Sequence, residues 1–315
     1  MTRSFVPSPV PLIVASDDDI GPQPRRDLGL TRIRHRVYAP TDAWRALPPW
    51  DRYLARVHAL ATVRPESVFC LESAASLHGL PVFGEPRQLH VMDTQWPTSH
   101  RFGDVVLHTS RDSRHVVEVG GVRATGAADT TVDLARALPP AFGLAVADAA
   151  VSTRQLGTCL LEELISIGDR QCNRRGRARM RWVWSSVDDR SESSGESVSR
   201  AVIQWLGFPE AELQVGFHLE GFHDRVDFYW PRCRAIGESD GYGKYGDIRD
   251  LVAEKRREDR LRRHSDGFAR WDWGDVMRVE PLKRALLGAR IPLVRAPQPV
   301  MLATLRTNPR SLPPR

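Results

Sequence analysis

From Leu213 onward, apolar side chains recur at every second position: Leu213, Val215, Phe217 and Leu219, then, past the turn residues GFHD, Val226, Phe228 and Trp230. A period of two belongs to a strand that buries one face. The stretch therefore reads as an antiparallel pair with its apolar side toward a core. Its neighbours complete an order. Ser193-x-x-Glu196 is a capping-box pattern opening a helix whose stripe is Val198, Val202, Trp205 and Leu206, and Gly207 and Pro209 stop that helix. Pro231 and Arg232 turn the chain into a shorter strand, RAIGESD; a charged helix over roughly 249–264 and a closing strand, GFARWDW, follow. The predicted order is α-β-β-β-α-β, within residues 191–290.

The front of the chain is also mixed. LTRIRHRVYAP (30–40) makes a short, basic, strand-like run closing an N-terminal arm of residues 1–50. Tyr53, Leu54, Val57, Leu60 and Ala61 follow helical spacing, and VFCLESAASLHGLPVFG (68–84) reads as a second helix ending at Gly79. RQLHVMDT, DVVLHTS and HVVEVGGVRAT are strand candidates with Gly120-Gly121 as a turn, before helical patterns at 129–137 and 141–151. Residues 51–165 thus form a mixed α/β domain. An arginine-rich joint (166–190) follows it, and a proline-spiked tail (291–315) ends the chain.

Composition narrows the function class. No apolar run reaches the length of a membrane span. PLIVA, near the start, is too short and too closely followed by acids for a signal peptide, so a cytoplasmic protein without membrane partners is expected. Cys70, Cys159, Cys172 and Cys233 are far apart, form no CxxC and read as reduced, packed thiols. The net charge of +6 suits a polyanionic partner. Lys244, Lys255 and Lys283 are the only lysines, so arginine is the default cation and the basic balance owes much to codon choice.

Three acids stand out against this background. Aspartate is a poor strand former, yet Asp227 sits mid-strand between Val226 and Phe228. Glu238 and Asp240 leave the next strand on one face, and if the two strands pair, Asp227 lies within cross-strand reach of them. Clustered carboxylates repel unless a cation sits among them. Hard oxygens with no histidine or cysteine at useful spacing select Mg²⁺ or Mn²⁺, which would serve phosphoryl chemistry.

In order and residues, Glu196, Gln214, Val226-Asp227-Phe228, Glu238-Ser239-Asp240-Gly241, the charged stretch 254–263 and Arg270-Trp271 resemble the PD-(D/E)XK nuclease superfamily. More closely, they resemble the bacterial domain of unknown function related to very-short-patch repair endonucleases. The resemblance implies an αβββαβ restriction-endonuclease-like domain with Asp227 and Glu238 as metal ligands. Asp240 would be a further ligand or water-orienting base, Glu196 an accessory ligand, and Gln214 a contact to metal-bound water. The superfamily places a lysine two residues after the second acid; here Asp240 stands there, leaving Lys244 or Lys255 to stabilise charge.

In the front half, RIRHRVYAP, ESAASLHGL (72–80) and DTTVDLARALP (129–139) resemble the type IV abortive-infection antitoxin family AbiEi. That resemblance implies a winged-helix start, here degenerate, contact with DNA through Arg32, Arg34 and Arg36, and a cognate toxin as partner. Arg174, Arg175 and Arg177 form a second candidate phosphate-contacting strip, with a solvated helix face as the ordinary alternative. Glu72 and His78 stay structural, since a histidine before a helix-ending glycine favourably meets the helix C-terminus. The combined expectation is an α+β, DNA-associated protein with an antitoxin-like front and an endonuclease-like back. A non-catalytic regulator is the alternative.

Overall fold

The computed structural model describes residues 4–15, 29–93, 98–241 and 248–306, with side chains from Val252 onward in the helix that begins at Ile248. Lys244 lies outside the described residues. The fold is α+β and divides into two compact units, one from Met1–Ala137 and Thr158–Met180, the other from Leu138–Gly157 and Arg181–Asn308. Among the described residues no helix is long and apolar enough to cross a membrane.

In the first unit, β1 (Ile13–Val14), β2 (Leu30–Arg34) and β3 (Val37–Pro40) form an antiparallel sheet in the order β1-β3-β2. The basic run is thus a hairpin, turned at Arg36 with φ 65°. The helices α1 (Thr41–Ala46) and α2 (Pro49–Val63) follow, the latter with proline in its first turn, where the missing N–H has no intrahelical partner to lose. The expected helix from 68 begins later. Val68–Phe69 is strand β4, and α3 covers Leu71–His78, ended by Gly79 in the left-handed region at φ 76°. Phe69 is drawn into a strand because β4 lies inside a six-stranded sheet, antiparallel to β5 (Leu89–Met92) and parallel to β9 (Val122–Thr125). With β6 (His100–Phe102), β7 (Val105–His108) and β8 (Val116–Val119), the sheet order is β6-β7-β5-β4-β9-β8. Tyr53, Leu60, Phe69, Leu77 and Leu89 form the core between α2, α3 and this sheet. After β9 comes α4 (Ala127–Ala137).

The next helix, α5 (Pro140–Val151), corrects the expected boundary: it belongs to the second unit, not to a front domain reaching 165. Its composition explains why. Nearly every residue of PAFGLAVADAAV is buried, so it must be covered on all sides. The helix α6 (Leu161–Arg170) lies in the first unit, and the division falls within α7 (Arg177–Ser186). The expected joint is therefore largely helical.

The second unit holds α8 (Ser194–Leu206), β10 (Glu212–Leu219), β11 (Phe222–Trp230), β12 (Ala235–Asp240), α9 (Ile248–Arg263) and β13 (Gly267–Asp272), in the expected order. The sheet runs β10-β11-β12-β13, antiparallel except for the last, parallel pair. Ser193 caps α8 by accepting the Glu196 N–H at 3.2 Å. Gly207, φ 90°, ends α8 where a Cβ would stand 2.1 Å from the Arg295 carbonyl oxygen. That close approach seats the tail. Val294 N–H donates to the Gly207 carbonyl and Gln298 N–H to the Trp205 carbonyl, so this part of the chain packs with the second unit rather than trailing from it. The helices α10 (Trp273–Arg278), α11 (Glu280–Gly288) and α12 (Pro299–Ala303) complete the unit.

The apolar alternation of β11 is split. Phe228 and Trp230 stack against each other, Phe228 meets Trp271, and the Trp271 indole N–H donates to Ser199 of α8 at 2.9 Å. Val226, two residues earlier, instead joins Ile236 and Leu261 of α9, with Val215 and Phe217 beside them. The single inward face expected for Val226, Phe228 and Trp230 is therefore shared between two helices, and the change falls at Asp227.

Candidate functional site

Asp227 and Gln214 occupy the point where the β-ladders loosen. Between the pairs Leu213↔Phe228 and Val215↔Val226, Gln214 takes φ 55°, a left-handed conformation that costs an L-residue roughly 1–2 kcal/mol. Such a kink re-aims a side chain. Here the Gln214 amide nitrogen donates to Glu196 Oε2 at 2.9 Å and to Asp227 Oδ1 at 3.3 Å. On the other side the β11–β12 register ends at Phe228↔Gly237. The Ser239 N–H donates instead to Asp227 Oδ2 at 2.9 Å.

Glu238 follows Gly237 and is buried, with Arg257 Nη2 donating to its Oε1 at 2.9 Å. Burial and then the neighbouring Asp227 charge push Glu238 up to about 7, and Arg257 only partly opposes them. Glu196 is raised for the same two reasons, burial first and Asp227 second. It also has a local role: it accepts the Glu192 N–H at 3.0 Å and the Ser193 hydroxyl at 2.8 Å. The capping role and the site role coincide in one carboxylate.

Asp240 is drawn elsewhere. Arg270 Nε donates to it at 2.6 Å, and the same guanidinium reaches Glu258 at 2.6 Å and Glu254 at 3.3 Å. The structure thus brings Glu196, Gln214, Asp227 and Glu238 together and sets Asp240 in an ion-pair network on α9. Among the described residues, no three carboxylate, histidine or cysteine groups converge closely enough to hold a metal ion as they stand. The donor set nevertheless has the chemistry of a hard divalent cation: crowded carboxylate oxygens, two of them held toward the protonated form.

Lys255 does not meet the acids; it is exposed on α9. Glu254, Arg257, Glu258 and Leu261 share one face at helical spacing, and Arg257 is the cation that face delivers to Glu238. That spacing, read backward from the apolar Leu261, was the available signal.

The arginines expected to meet nucleic acid divide. Arg34 makes a two-pronged pair with Asp104 at 2.8 and 2.9 Å, and Arg36 Nε donates to the Ala15 carbonyl at 3.2 Å, whereas Arg32 is exposed. Burial works against the Asp104 charge, yet Arg34 and Arg56 hold its carboxyl below the usual range. Arg174 and Arg175 are exposed before α7, while Arg177 donates to the Gln171 carbonyl at 2.7 Å. Of the cysteines, Cys70 and Cys159 are buried, Cys233 is half-buried and Cys172 is exposed; all are free thiols.

One cluster had no signal in the sequence. Buried Glu72 lies 3.5 Å from His90 Nε2, and His90 Nδ1 lies 2.9 Å from His108 Nε2. The strands carrying the two histidines meet through a parallel pairing that local pattern does not reveal. His78 instead bonds the Thr125 carbonyl at 2.8 Å.

Two proteins of Mycobacterium tuberculosis, the uncharacterized protein MT2308 of strain CDC 1551 and the uncharacterized protein Rv2248 of strain H37Rv, are each 30% identical to the chain over 231 residues. The match covers 73% of this chain and 80% of each relative. No family model and no solved structure matches the chain.

Proposed function

The chain belongs to one family with these two mycobacterial proteins, and within it we propose that the second unit is the catalytic domain of a cytoplasmic, DNA-associated, metal-dependent phosphodiesterase. The observation that carries this reading is the raised Glu238, buried beside Asp227 where the strand ladder opens. Unbalanced carboxylates at one spot favour either a proton or a cation. A magnesium or manganese ion held by Asp227 and Glu238, with Glu196 accessory, would steady a phosphoryl oxygen and activate a water.

The chain's own residues have definite parts in this proposal. Arg257 orients Glu238 and carries positive charge to the phosphate side, the part first assigned to Lys244 or Lys255. Gln214 holds Glu196 and Asp227 at a fixed spacing through its amide, which donates to both. Asp240, fastened by Arg270, positions the end of β12. The front unit's antitoxin-like motifs add a toxin–antitoxin or defence setting and exposed Arg32 as a phosphate contact.

A second reading has its own observation: each of Glu238 and Asp240 already has a guanidinium partner. On that reading the domain grips DNA as a non-catalytic regulator. Calorimetry with Mn²⁺ at pH 8, run beside plasmid nicking, separates the two. Wild-type binding and nicking that are both lost in Asp227→Ala support the phosphodiesterase. Absence of Mn²⁺ binding by the folded wild type overturns it in favour of the regulator.

A further inference from the structure

The Glu72–His90–His108 chain does not end in the core. His108 lines a cavity of about 430 Å³ in the first unit, together with Arg114, Asp133, Arg136, Arg175 and Arg179. That volume falls within the range of small-molecule sites. Four arginines against one aspartate leave the wall with three positive charges in excess.

Much of this charge is built in rather than solvated. The Arg114 side chain is 8% exposed and donates to both oxygens of Asp133 at 2.8 and 2.9 Å. Arg136 is buried at 8% exposure. Its Nη groups donate to the Asn173 and Arg175 carbonyls and to Gln171 Oε1, yet its Nε–H is buried with no partner among the described residues. Burial, followed by nearby Arg177 and Arg114, disfavours the Arg136 cation despite the opposing pull of Asp133. Asp133, engaged by Arg114, does not balance the remaining arginines of this wall. Leu71, also at the cavity, holds φ 49°, strain of a kind that collects at ligand sites.

The histidine chain sets what kind of anion fits. Glu72 stands 3.5 Å from His90 Nε2, the arrangement that suits a proton on that nitrogen, and with the proton there His90 Nδ1 accepts from His108 Nε2–H at 2.9 Å. His108 is thereby fixed in orientation at the cavity, and a proton gained on its ring is backed by a buried carboxylate two links away. Guanidinium forks and a histidine together match the several oxygens and the double charge of a terminal phosphate.

We propose that this cavity binds a phosphate monoester of mononucleotide size, at a site in the first unit separate from the carboxylates of the second. His90 is a positioning residue, acting through His108.

The test is calorimetry on the full chain with adenosine 5′-monophosphate, with adenosine and inorganic phosphate as further probes. A 5′-phosphorylated oligonucleotide, compared with its unphosphorylated form, distinguishes a free nucleotide from a nucleic-acid end as the phosphate source. Binding of the monophosphate but not of adenosine is expected, weakened about tenfold by Arg175→Ala on the exposed rim, a loss typical of one charge-assisted contact. His108→Ala should weaken it comparably. His90→Gln should shift the ring-nitrogen resonances of His108 and weaken binding, both read well below the variant's own melting midpoint so that the protein compared is folded. No saturable binding of the monophosphate would overturn the proposal, as would binding unchanged in both Arg175→Ala and His108→Ala. Equal binding of the two oligonucleotides in the absence of monophosphate binding would also overturn it, by pointing to backbone contacts.

Discussion

Arg257 and Glu238 face one another at 2.9 Å, yet the arginine does not bring the glutamate down to an ordinary carboxylate. Burial and the Asp227 charge outweigh it.

The pair predicts a pH dependence of stability. Glu238 moves from 4.5 to about 7 on folding. A group raised in this way contributes stability that is fully present below 4.5 and is lost as the pH rises through about 7. A gap of that size corresponds to on the order of 3 kcal/mol. Urea unfolding of wild type and Glu238→Gln should therefore diverge between pH 5 and 8, with the variant gaining on wild type at the alkaline end. A constant difference across that range would contradict the assignment.

Asp148 and Arg200 predict a large, coupled loss. Asp148 is fully buried and accepts Arg200 Nη2 at 2.6 Å and the Asp188 N–H at 2.9 Å. Arg200→Met strands a buried carboxylate and should cost about 3–5 kcal/mol. Adding Asp148→Asn should recover part of that loss, giving a double-mutant coupling on the order of 1–3 kcal/mol. Additive losses in denaturant titrations would show that the pair is not the source.

Gly237 predicts an overpacking penalty at the site's floor. A Cβ there would lie 2.6 Å from Trp271 Cη2 and 3.0 Å from Trp230 Cζ3, both in fully buried indoles. Gly237→Ala should destabilise by about 1–3 kcal/mol. It should also change the near-ultraviolet circular dichroism of the tryptophans; an unchanged spectrum and melting midpoint would refute the close packing.

Tyr53 predicts a smaller effect in the first unit. Its buried hydroxyl sits 2.8 Å from Ser73 Oγ and donates to the Gln88 carbonyl at 3.0 Å. Tyr53→Phe leaves that carbonyl short of a donor and should cost on the order of 1–3 kcal/mol. A shift of the urea midpoint with unchanged slope is the expected record.

Elements whose signals are local were legible from residue order. Ser193 and Gly207 bracket α8, Gly79 ends α3, and Gly120-Gly121 turns β8 into β9, because caps and turns act within a few residues. The gathering of Asp227 with Glu238 was legible for a related reason: adjacent antiparallel strands place their acids by register. Lys255 was misjudged because it lies off the face of α9 set by Leu261. Val226, Phe228 and Trp230 are all buried as their alternation requires, and what local pattern could not show is that different helices cover them.

By itself, the sequence determined the order of elements from α8 to β13, the caps and turns at Gly79, Gly120-Gly121, Ser193 and Gly207, and the two stretches where acids or arginines concentrate. Tertiary structure alone decided that α5 packs with the second unit, that Arg257 rather than a lysine faces Glu238, and that Glu72, His90 and His108 link beside an arginine-lined cavity. The physical reason is range. Caps, turns and side-chain periodicity are set by neighbours in the chain, whereas burial, charge pairing and strand crossover depend on residues that come together only when the core closes.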